Sequence, residues 1–282
     1  MTRKSTLRGI LSFFVILLMM PLGHAFVVLM AKNMSGTALH WGAFLLGAFG
    51  VVLAVYGNRL RSPAMQVLCG AFSAVLFWGA WVEFIFISYA QTLHVPPLMD
   101  GNVVLTKPEY LMMPTTLPFA FLAFVMYVFF VPSNWGVVLV LRKWLGIRLN
   151  TADENRFQSV RAFTELLLLI WWAYLILLVE YDPDLLGERH PVTMIFATIC
   201  LIAGLILLVR SLRASSWASA LRQAIVTVCV LWTYIEVMIR LKLFTEIWIY
   251  PEKYVVQMIL MLVAFVVVLF IIAKLGHKKL IR

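Results

Sequence analysis

Long apolar runs alternate with short polar turns along the whole chain. The runs cover residues 9–31, 38–57, 65–90, 115–132, 160–181, 192–210, 218–243 and 254–275. Each approaches or exceeds the ~20 residues that carry a helix across a bilayer. The pattern predicts an all-α fold, a polytopic membrane helix bundle with eight transmembrane helices. Composition agrees: 63% of residues are hydrophobic and 13% charged, where an ordinary soluble domain is about half apolar. Lipid is the partner that can cover so much apolar surface. The N-terminus imitates a secretory leader, with basic "MTRKSTLR", apolar "GILSFFVILLMM" and then "GHA". Because the apolar run continues through "FVVLM", the expectation is a first membrane helix rather than a cleaved peptide.

An even number of crossings places both termini on one side. With that side cytoplasmic, the cytoplasmic segments hold seventeen of the 23 lysines and arginines, and the outer segments hold six. Only three acids, Asp153, Glu154 and Glu165, fall inside; the other ten of the 13 lie outside or in outer helix ends. This asymmetry follows the positive-inside rule and accounts for the formal charge of +10 without a nucleic-acid partner. The expected location is a bacterial inner membrane with both termini cytoplasmic.

Two connections carry further signals. "NTADENRF" (150–157) reads as a capping box, Thr151 with Glu154, opening the fifth helix. The basic and partly apolar segment 134–150 reads either as a short interfacial helix or as the end of the fourth helix kinked at Pro132. The outer loop 91–114, with four prolines, is long for such a protein.

The chain also repeats itself. "LFWGAWVEF" (76–84) and "LWTYIEV" (231–237) each set a tryptophan shortly before a glutamate in an outward-running helix. "KPEYLMMP" (107–114) and "YPEKYVVQM" (250–258) follow, and "NRLRSP" (58–63) and "RSLRAS" (210–215) precede. The expectation is two four-helix halves, 1–149 and 150–282, in parallel repeat. One flaw stands in the match: Trp78 to Glu83 spans five residues, Trp232 to Glu236 four.

Charge inside an apolar helix is costly, about 2.5–3.5 kcal/mol at mid-bilayer on insertion scales. Glu83 and Glu236 are therefore candidates for a solute or ion pathway, with His24 of the first helix and Arg240. Glu236 and Arg240, four apart, also suit a plain intrahelical ion pair. Glu83 has only Gly79, Ala80, Phe86 and Ile87 at that spacing and needs a partner from another helix. In the outer loops the candidates are His94, Glu109, Tyr110, Glu252 and Tyr254. Pro-Glu pairs put Glu109 and Glu252 at helix starts, where an acid suits the helix dipole.

Other chemistry finds little support. Cys69, Cys200 and Cys229 sit in apolar runs with no C-x-x-C pair, and there is no H-E-x-x-H, P-loop or G-x-S-x-G. No metal site is assigned, and a second intramembrane histidine for haem is lacking; the cofactor stays open. Tryptophans and tyrosines near helix ends, among them Trp41, Trp135, Trp144, Trp217, Trp248 and Tyr250, read as interfacial belts. Trp171, Trp172 and Tyr174, in mid-helix, read as packing. Three readings of function remain: a transporter or ion-coupled carrier for a small solute or cation, a non-catalytic subunit with membrane-protein partners, and an intramembrane enzyme, with non-enzymatic roles favoured.

Overall fold

Each apolar run folds as one helix. The structure, a computed structural model, describes residues 3–100, 103–133, 135–148, 157–182 and 185–277. Spanning helices are α1 (Arg3–Asn33), α2 (Gly36–Gly57), α3 (Pro63–Thr92), α4 (Pro108–Phe130), α6 (Gln158–Tyr181), α7 (Pro191–Ser211), α8 (Trp217–Arg240) and α9 (Val255–His277). All eight are long and apolar enough to cross a membrane, and the chain is an integral membrane protein of the all-α class. Between α3 and α4 a two-stranded hairpin, β1 (Leu98–Asp100) with β2 (Val103–Thr106), folds the long loop back. The fourth span starts at Pro108 rather than near 115: Pro108 takes the first helical position, Glu109 the first turn, and Pro114 falls in a tighter 3₁₀ stretch, Met113–Thr116. The Thr151–Glu154 capping box lies outside the described residues.

Segment 134–150 holds a separate helix, α5 (Gly136–Leu145). The chain leaves α4 in extended form at Val131. Arg142, 6% exposed, turns back onto the end of α4. Its Nε donates to the Val128 carbonyl at 2.7 Å, and its Nη2 to the carbonyls of Tyr127 and Val131. The carbonyls of Val128 and Val131 are ones that a helix end leaves without intrahelical donors, while that of Tyr127 also accepts from the Val131 N–H.

The spans form two shells. Along the apolar stretches of α1, α3, α6 and α8, 33–44% of residues are buried, and along those of α2, α4, α7 and α9 only 11–22%. Val15, Val67, Leu166, Leu221 and Ile225 meet in the main core of the inner four. Neighbours come in matching pairs: α1 packs on α8 as α6 packs on α3, α2 on α3 as α7 on α8, and α9 on α1 as α4 on α6. Small residues set the closest crossings. A Cβ at Gly70 would stand 2.0 Å from the Ser159 carbonyl oxygen, so α3 and α6 touch backbone to backbone there. Gly70→Val is expected to cost about 1–3 kcal/mol by forcing these helices apart. Thermal melting of the detergent-purified variant checks this; an unshifted midpoint would mean the crossing tolerates a side chain.

Candidate functional site

At the end of the bundle away from the termini, a cavity of about 190 Å³ opens between α1, α3, α6 and α8. Thr106 and Lys107 from the hairpin side, and Glu246, Trp248 and Ile249 from the loop before α9, line it as well. Two irregularities sit on its wall. Pro21 within α1, about one turn before His24, leaves the Leu17 carbonyl without its usual donor. In α3, residues Trp78–Glu83 form a π-helical turn. Five residues of α-helix would leave about 140° between Trp78 and Glu83. With i→i+5 bonding the turn is wider, and residues five apart face the same way. Trp78, Gly79 and Glu83 accordingly all line the cavity.

Of the residues singled out in the sequence, His24, Glu83, Tyr110, Glu236 and Arg240 line this one space. His24 Nδ1 lies 3.9 Å from Glu83 Oε2, with side chains 24% and 14% exposed, so the cross-helix neighbour of Glu83 is the imidazole. Glu236 and Arg240 do not form the intrahelical pair. Glu236 Oε1 accepts from Trp232 Nε1 at 2.7 Å. Arg240 points to Glu188 (Nε to Oε2, 3.4 Å), donates to Thr106 Oγ1 at 3.3 Å and lies 4.8 Å from the Tyr181 ring centre. The carboxylate of Glu236 thus has the indole N–H as its hydrogen-bond partner among the described residues.

The other loop candidates stand apart. His94 bonds the Thr92 carbonyl at 3.1 Å in a left-handed conformation, φ 53°. Glu109 stays in the first turn of α4. Glu252 precedes α9 rather than opening it, and pairs with Lys32 at the end of α1 at 2.7 Å, which holds its carboxyl below the usual range. Tyr254 accepts the Met258 N–H through its carbonyl. None of these four lines the cavity.

Aromatic residues supply what the sequence did not reveal. Trp78, Tyr174 and Tyr110 stack in series, with centroids 5.4 and 5.6 Å apart and planes within 18° and 16°. Trp248 is no belt residue; it packs on Trp232 at 5.2 Å inside the cavity wall. Tyr174 likewise serves the cavity rather than packing alone. Glu246 is the third carboxylate of the lining, and burial pushes its carboxyl above the ordinary range. Its position in a loop that folds back gave the sequence no apolar frame against which to notice it.

A second polar cluster lies toward the termini-bearing end. Glu165, 1% exposed, accepts from Tyr127 Oη (2.7 Å), Arg161 Nε (3.2 Å) and Arg222 (2.5 and 3.2 Å). It ties α4, α6 and α8 together and does not line the cavity described above. Among the described residues, no three His, Cys, Asp or Glu side chains gather as a metal ion would need.

No family model, curated protein or solved structure matches the chain.

Proposed function

We propose that the chain is a carrier for a small solute, built from two four-helix halves, 1–149 and 150–282, around a pseudo-twofold axis along the membrane normal. The observation that carries this reading is the cavity, which takes one tryptophan–glutamate pair from each half: Trp78 with Glu83, and Trp232 with Glu236. A scaffold subunit has no use for three carboxylates around a solute-sized space.

The register of the halves supports the same reading. With helix starts aligned at Ser62 and Ser216, Trp78 falls on Trp232. Fully buried Val67, Ala71 and Ala74 fall on fully buried Leu221, Ile225 and Val228. Ser73 falls on Thr227, and both hydroxyls bond the carbonyl four residues back. The contact of Gly9 with Ser211 recurs, small residue for small residue, as Ser159 with Gly57. Only the glutamates fall out of step, by one residue, and the π-turn of α3 takes up that residue. The paired helix contacts have the same twofold character.

In this reading the termini and the basic turns face the cytoplasm of an inner membrane, and the cavity opens on the other side. The outer loop 91–114, whose Thr106 and Lys107 reach the cavity, is its lid. His24 and Glu83 form the pair that passes a proton or holds a cation.

Currents on a solid-supported membrane coated with proteoliposomes, elicited by a panel of small amines, acids and sugars, test the proposal. At least one solute is expected to give a saturable current. Glu83→Gln should reduce it to the level of protein-free liposomes while the purified variant melts as the parent does. Parental currents from Glu83→Gln, or silence across the panel, would overturn the carrier reading.

A further inference from the structure

The lining of the cavity identifies a ligand class. From it, we propose that the bound solute is a small organic ammonium ion, held over the aromatic wall and neutralised by Glu236, Glu83 and Glu246. This rests on the cavity described above and deepens the carrier reading.

Charge is the first argument. Three carboxylates reach the space, against Lys107, Arg240 and the imidazole of His24. Arg240 is already neutralised by Glu188 and held by Thr106 and the Tyr181 ring. Lys107 is exposed at the rim. The free charge facing the cavity is therefore negative, which disfavours a carboxylate or phosphate ligand. Glu236 Oε2 and the Glu246 carboxylate have no hydrogen-bond partner among the described residues, and both are positioned to meet a cation.

Size and wall chemistry then separate an organic cation from a bare metal ion. One water needs ~10–15 Å³ of such volume; about 190 Å³ would leave a bare ion mostly surrounded by solvent. A hard cation also wants six or more oxygen ligands, whereas aliphatic and aromatic side chains make up most of this wall. In the Trp78–Tyr174–Tyr110 stack the rings cover one another's faces, so the tilted Trp232–Trp248 pair is the one that offers a π-face to an alkylammonium group. The indole N–H of Trp232 fixes the Glu236 carboxylate against the second aromatic pair, so charge and ring are delivered together.

Choline chloride and its neutral isostere 3,3-dimethylbutan-1-ol, titrated against purified protein by tryptophan fluorescence and calorimetry, decide the matter. Choline is expected to saturate the signal and bind roughly tenfold or more tighter than the isostere, the order of effect that one desolvated cation–π and charge contact supplies. Equimolar sodium chloride should not displace it. Glu236→Gln should weaken choline by about the same factor and leave the isostere unchanged. Should that variant not fold, Glu246→Gln, placed in a loop, carries the same expectation. Equal affinity for the two probes, no choline binding at all, or displacement by sodium would overturn the ammonium assignment. The carrier reading fails separately, if choline binds the purified protein but neither it nor any other solute gives a current in proteoliposomes.

Discussion

Glu165→Ala is expected to leave little folded protein in the membrane. Its carboxylate sits among two guanidiniums and a phenol with 1% exposure, and Arg161 and Arg222 are themselves 4% and 14% exposed. Removing it strands the Arg222 guanidinium in a low-dielectric interior and takes a carboxylate from Arg161. Breaking a buried pair in this way costs about 3–5 kcal/mol, a large share of the ~5–15 kcal/mol that keeps a protein folded. The cluster also joins three helices, so its loss loosens α4 from α6 and α8 together. Tyr127→Phe, which removes one neutral donor, should cost only about 1 kcal/mol. Glu165→Leu combined with Arg222→Leu should recover part of the loss, because replacing a buried ion pair with apolar volume is often neutral. Size-exclusion yield after detergent extraction, and melting of what survives, order the three variants. A Glu165→Ala protein as abundant and as stable as the parent would show that the cluster does not hold the bundle.

That cluster also marks where sequence reading ends. The eight spans were legible because a bilayer demands apolar length and the connecting turns break it. Which spans form the inner shell was not, since lipid tails and a protein core accept the same side chains. Leu221 in the core and Leu260 facing outward, 0% and 63% exposed, look alike in sequence. Glu83 and Glu236 stood out because a charge inside an apolar run needs a reason. Glu165 did not, because Arg161 four residues earlier let it pass as part of a basic flank. Tyr174 and Trp248 were missed for a different reason: an aromatic ring is equally at home in a belt, a core or a binding wall, and only position decides. The π-turn has no sequence signature of its own. Its trace was the spacing of five against four between tryptophan and glutamate, an apparent flaw in the proposed repeat that the wider turn would accommodate.

The same spacing sets up the sharpest test of the two-half architecture. If α3 is α8 with one residue added, that residue is removable. Deleting Val82 should convert the π-turn to ordinary α-helix, bring Trp78 and Glu83 to the four-residue spacing of Trp232 and Glu236, and leave the rest of α3 in register. Folded yield and melting are expected to stay close to the parent. Deleting Ile235, the counterpart in α8, has no wider turn to draw on. Everything beyond it rotates by about 100°, turning Glu236 and Arg240 away from the cavity and toward apolar neighbours. With each misplaced charge costing about 2.5–3.5 kcal/mol at depth, folded protein should be lost. The reverse experiment strengthens the contrast: one alanine inserted between Trp232 and Glu236 should be tolerated as a new π-turn in α8. Equal damage from the two deletions would mean that the turn in α3 is part of the packing rather than an added residue, and the correspondence of the halves would lose its register.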